Sequence, residues 1–201
     1  MYLVFGLGLT SALIAAVENR RVSLLALSAQ YILAGLLLSE ILGPWIGSLK
    51  IFVGAMIYLI LYGTTRPPPQ TSTQTPQDLG RNLLSSRPFR LLSIALAGIL
   101  AYSLFRSYPL PKVTPEVNLG CYWLVTMGLL TAIWAGEPLK VGLGLLTFEG
   151  GFELFYTTQE KSLSVMGLLG IANLLVALAI AYLVSAQESS TPEEGGGEKR
   201  V

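Results

Sequence analysis

Two carboxylates, Glu149 and Glu153, stand four residues apart in the apolar run GLLTFEGGFELF, residues 144–155. On a helix that spacing turns both toward the same side. In hydrocarbon an ionised carboxylate costs several kcal/mol unless it is paired or neutralised. An acid that escapes the cost by holding a proton can also pass that proton on, so the chemistry open to this pair is proton or ion transfer. Three further polar residues fall inside apolar runs: Lys50, Gln30 and Asn173. Lys50 either snorkels to the interface on its long stem or stays buried opposite a carboxylate. Gln30 and Asn173 are amides, which commonly hydrogen-bond between membrane helices. Glu149 is too deep to reach water alone, whereas Glu153, just before FYTTQEK, is close to the end of its run. Glu149 is therefore expected to carry the proton, with Glu153 as the lesser neighbour.

Other chemistries find little support. The chain has no histidine and one cysteine, Cys121, which excludes an internal disulfide and histidine-rich zinc or haem sites. No Gly-rich loop follows a strand and no nucleophile has a histidine base, so neither a catalytic centre nor a cofactor or metal site is expected. A net charge of +1 offers no basic face for nucleic acid.

The polar residues need apolar elements to hold them. The chain of 201 residues is 52% hydrophobic and 12% charged, with a mean hydropathy of +0.61. Soluble domains carry about 25% charge, so the sequence predicts an all-α integral membrane protein. Apolar runs long enough to cross about 30 Å of hydrocarbon give seven expected spans, at 2–17, 22–42, 44–63, 89–108, 117–135, 139–158 and 162–186. Gly43–Pro44 makes a tight break between the second and third. Residues 64–88, rich in Pro, Thr and Gln, read as a polar linker, and 187–201 as a disordered tail. The first run lacks a basic segment before it, and Arg20–Arg21 follow it, so a retained span is expected in place of a cleaved signal. With the N-terminus outside, nine basic residues lie on the inner side (Arg20, Arg21, Arg66, Arg81, Arg87, Arg90, Lys140, Lys199 and Arg200) against three outside. The expected localisation is a cell's inner membrane, with the C-terminus cytoplasmic.

The segment ENRRVSLLALSAQ, 18–30, overlays EPLKVGLGLLTFE, 137–149, at a constant offset, matching Glu18 to Glu137, Arg21 to Lys140 and Gln30 to Glu149. The expected architecture is thus two parallel three-helix repeats, 1–63 and 117–186, joined by a linking helix at 89–108. The aromatics Trp45, Trp123, Trp134 and Tyr182 are expected to anchor span ends. Gly150–Gly151 are expected to loosen the helix beside Glu149.

The unit GEPLKVGLGLLTFEGGFELF resembles the K-type membrane subunit of respiratory complex I, in which a short basic turn leads into a helix with a buried glutamate. The same three-helix unit recurs in the C-type subunit of multisubunit cation/proton antiporters. The doubled arrangement is similar to the membrane component E of hydrogenase-4-type complexes. The resemblance implies a non-catalytic subunit that scaffolds antiporter-like and other membrane subunits, with Glu149 on the family's buried glutamate. The third-helix carboxylate of the K-type unit falls near Asn173, here an amide that cannot titrate. An independent small transporter, with substrate near Glu149 and Lys50, and a purely structural or assembly subunit are the alternatives.

Overall fold

The structure is a computed structural model, and it describes residues 2–17, 19–64, 87–110, 114–159 and 162–189. Most of the expected linker, the tail from residue 190 and Glu18 of the overlay lie outside the described residues. Among those described every regular element is a helix: α1 Tyr2–Ala16, α2 Arg20–Leu42, α3 Pro44–Thr64, α4 Arg87–Ser107, α5 Pro115–Trp134, α6 Pro138–Gln159 and α7 Leu163–Ser189. The α7 helix runs three residues into the stretch expected to be tail.

Local chemistry sets the boundaries. The Asn19 side chain caps α2 by accepting from the Arg21 backbone N–H at 3.1 Å. Gly43 ends that helix at φ +112°, a conformation that favours glycine. Pro44, Pro115 and Pro138 each open a helix, where the missing N–H costs nothing.

Among the described residues five helices, α2, α3, α4, α5 and α7, are long and apolar enough to cross a bilayer. At 15 residues α1 is about 22 Å long. The 22-residue α6 has the length, but Lys140, Glu149, Glu153 and its threonines dilute its apolarity. Its position explains why that is tolerated. The α6 helix packs against α5, α7, α2 and α1, so Glu153 and Thr147 on its covered sides are buried against other helices.

The first trio packs against the second helix by helix: α1 on α5, α2 on α6 and α3 on α7. The linking helix α4 does not lie between them but rests on the flank of α5 and α1, mostly exposed. Glycines let backbones touch inside each trio. A Cβ on Gly47 would stand 2.4 Å from the Gly35 carbonyl, and one on Gly144 would stand 2.5 Å from the Ala132 nitrogen. One apolar cluster gathers Leu24, Leu27, Ile57, Leu143, Leu146 and Ala177; a second gathers Leu7, Leu38, Leu124 and Leu154.

Two sequence expectations change. Gly150–Gly151 do not loosen α6, which is continuous through them. Gly151 instead admits α5, since a Cβ there would stand 2.9 Å from the Leu124 Cβ. Trp123 is not an interface anchor: its indole N–H donates to the Gly8 carbonyl at 3.2 Å and the Ser11 hydroxyl at 3.0 Å, tying α5 to α1. At one end of the bundle, the Arg20 Nε donates to Glu137 Oε2 at 3.1 Å, so the two turns that the overlay pairs lie side by side.

Candidate intramembrane polar site

Lys50 stands six residues inside α3, and Glu153 six residues before the end of α6. The start of α3 and the end of α6 lie at the same end of the bundle, so both side chains come from about 9 Å below that end. They meet there. The Lys50 ammonium donates to Glu153 Oε2 in an ion pair whose partners are only 5% and 6% exposed. Asn173, on α7, donates its side-chain N–H to the same oxygen at 2.8 Å. Tyr31, on α2, lays its ring beneath the ammonium, with Nζ 4.6 Å from the ring centroid. Four helices thus supply one cation, one anion, one amide and one aromatic face.

This arrangement offsets the cost of burial. A buried ion pair repays desolvation only when further hydrogen bonds complete it, and removing one partner typically costs about 3–5 kcal/mol. Asn173 supplies such a bond to the carboxylate, and Tyr31 supplies the ring face to the ammonium. Lys50 therefore does not snorkel, and Glu153 is not an interfacial side chain. Both are held by the interior.

Glu149 is placed differently. Position 149 lags position 153 by about 40° around the helix, which turns its side chain from the interior toward the rim of α6. It is half-buried, and its Oε2 is enclosed without a hydrogen-bond partner. Lys50, Glu153 and Tyr31 lie within electrostatic reach of it. Gln30 is buried at mid-depth in α2, its amide nitrogen 3.7 Å from where a Cβ on Gly150 would stand. Its Oε1 accepts no hydrogen bond. The five sequence-derived residues therefore divide: Lys50, Glu153 and Asn173 bond directly, while Glu149 and Gln30 flank them.

A small cavity adjoins the pair, lined by Lys50, Glu153, Thr157, Val53, Leu38 and Met166 among others, with space of about 10 Å³. That is near the minimum for a single water. The Thr157 hydroxyl, buried and without a hydrogen-bond partner, faces the same need. Sequence reasoning missed Tyr31 and Thr157. Tyr31 carried a usable signal, since it adjoins Gln30 in mid-span, far from where an interface aromatic belongs. Thr157 carried none.

Among the described residues no group of three or more Cys, Asp or Glu side chains is placed to hold a metal ion. The arrangement holds a cation and an anion together in the interior, with an amide donating to the anion and an aromatic face against the cation. No family model, curated protein or solved structure matches this chain.

Proposed function

We propose that this chain is a non-catalytic membrane subunit of a multisubunit energy-converting redox or cation/proton antiporter complex. In this reading it crosses a cell's inner membrane seven times with its N-terminus outside, scaffolds antiporter-like neighbours and contributes a polar axis for protons or coupled charge. The observation that carries the reading is the buried Lys50–Glu153 pair completed by Asn173, with Glu149 one turn away. Ionisable groups inside a bundle mark ion and proton paths more often than they mark packing. Transfer of a proton from the Lys50 ammonium to the Glu153 carboxylate leaves a neutral amine and a neutral acid. A neutral pair separates at far lower cost than an ionic one, which couples protonation to movement of α3 against α6.

The test compares Glu153→Gln and Glu149→Gln for assembly on native gels and for proton pumping in the same membranes. Glu149→Gln should assemble fully, and Glu153→Gln, whose amide oxygen can still accept from the Lys50 ammonium, should assemble with lowered stability, so pumping is compared per assembled complex. Glu153→Gln should lose most pumping, and Glu149→Gln should weaken it. Full pumping in both would remove the polar axis from the mechanism and favour the structural-subunit alternative. The small-transporter alternative needs a substrate site, and the cavity beside the pair, with room for about one water, does not favour it.

A further inference from the structure

The second trio is covered on one side by the first and is bare on the other. The α1, α2 and α3 helices pack on α5, α6 and α7. On α6 the covered side presents Leu143, Leu146, Gly150 and Leu154, all buried. On the opposite side Val141, Leu145 and Phe152 emerge, 40%, 40% and 48% exposed. Leu129 and Ile133 of α5 are exposed, and so are Ala172 and Ala179 of α7, which precede the inward-facing Asn173 and Ile180 by one position each. A helix advances about 100° per residue. That rotation carries both alanines off the line of contact with α6 and away from α3, onto the same bare face.

Glu149 opens onto this face. Leu145 one turn before it and Phe152 one turn after it are both exposed, and the side chain itself is half-buried at mid-depth, about 15 Å from either end of α6. Its enclosed oxygen accepts no hydrogen bond, and Lys50, its nearest intramembrane cation, is engaged with Glu153. A carboxylate at this depth, at the border of the bare face and with an enclosed oxygen that accepts no hydrogen bond, is costly for a helix to carry. Small residues beside it, Ala172 and Ala179, suit close approach of another backbone.

We propose that the bare face of α5, α6 and α7, centred on Glu149, is the docking surface for a transmembrane helix of a different chain that presents a lysine or arginine at the depth of Glu149. A second copy is a poor occupant. Two-fold pairing through this face sets Glu149 against Glu149, and Lys50 is the one basic residue inside the described spans away from helix ends. The inference deepens the subunit reading by placing a partner and naming its chemistry, and it needs from that reading only that a partner exists.

The experiment installs a photo-crosslinking phenylalanine at Leu145 or Phe152, with Leu96 on the exposed face of α4 as control, and irradiates native membranes. Both α6 positions should give an adduct with the same polypeptide, on a helix carrying Lys or Arg within one turn of the Glu149 level. Glu149→Lys should lower its yield by about tenfold or more, as loss of a desolvated charge pair does. Replacing the partner's basic residue by Glu in the Glu149→Lys background should restore it. Adducts with lipid alone, with a second copy, or with a helix lacking a basic residue overturn the proposal, as does a yield indifferent to Glu149→Lys. A cation-bearing partner from outside any redox or antiporter complex sustains this surface and removes the function proposed above.

Discussion

Removing one member of the Lys50–Glu153 pair should cost far more than removing both. With partners 5% and 6% exposed, the pair lies in a region of low effective dielectric. At a contact of about 4 Å and an effective dielectric of about 20, the attraction is roughly 4 kcal/mol. Lys50→Met leaves a buried carboxylate with Asn173 as its donor, and Glu153→Leu leaves a buried ammonium over the Tyr31 ring; each should destabilise by about 3–5 kcal/mol. In the double variant neither charge of the pair remains, and the main loss is the acceptor of the Asn173 amide, worth about 1–3 kcal/mol. The coupling energy between the two positions should therefore reach at least about 3 kcal/mol. The assay is unfolding in mixed lipid–detergent micelles titrated with dodecyl sulfate and followed by far-ultraviolet circular dichroism, for all four proteins. Single variants that add to give the double within about 0.5 kcal/mol would refute the reasoning, because two independent sites behave that way.

Gly144→Ala should destabilise by about 1–3 kcal/mol by forcing α5 and α6 apart, since the new methyl meets the Ala132 nitrogen at 2.5 Å and the Gly128 carbonyl at 2.8 Å. The same unfolding titration reads it, and an unchanged midpoint would mean that the two backbones are not so close. Single cysteines at Thr73 and Ser189, in a Cys121→Ser background, should be shielded from an impermeant thiol reagent in intact cells and labelled after the membrane is opened. Labelling of both in intact cells would invert the orientation drawn from the basic residues.

The helices were legible because long, predominantly apolar runs admit few other readings, and Gly43, Pro44, Pro115 and Pro138 punctuate them. The intramembrane polar residues were legible for the same reason: each stands out against its surroundings. Which carboxylate meets Lys50 was not. Glu149 and Glu153 share a side of α6 by spacing, and depth alone favoured Glu149. The choice was made by about 40° of helix rotation, set by Gly142 against Ile180 on α7 and Gly151 against Leu124 on α5. Those are contacts between segments distant in sequence, and no local pattern encodes them. The same holds for the glycines beside Glu149. A glycine that bends a helix and one that admits a neighbour look alike until the neighbour is in place.

The Lys50–Glu153 bond also orders the history of the chain. Its partners are separated by 103 residues. At a synthesis rate of about 5–20 residues per second, Lys50 is made roughly 5–20 s before its counter-ion exists. Throughout that interval α3 carries an ammonium into the bilayer without the carboxylate that pairs with it in the finished protein. The position six residues from the helix end makes the wait tolerable, because the lysine stem can hold its charge near the headgroups. Arrival of α6 and α7 then draws the ammonium inward onto Glu153 and Asn173. The last hairpin to be synthesised thus completes the first trio as well as its own, and a nascent chain halted before α6 holds an unneutralised charge that the finished protein conceals.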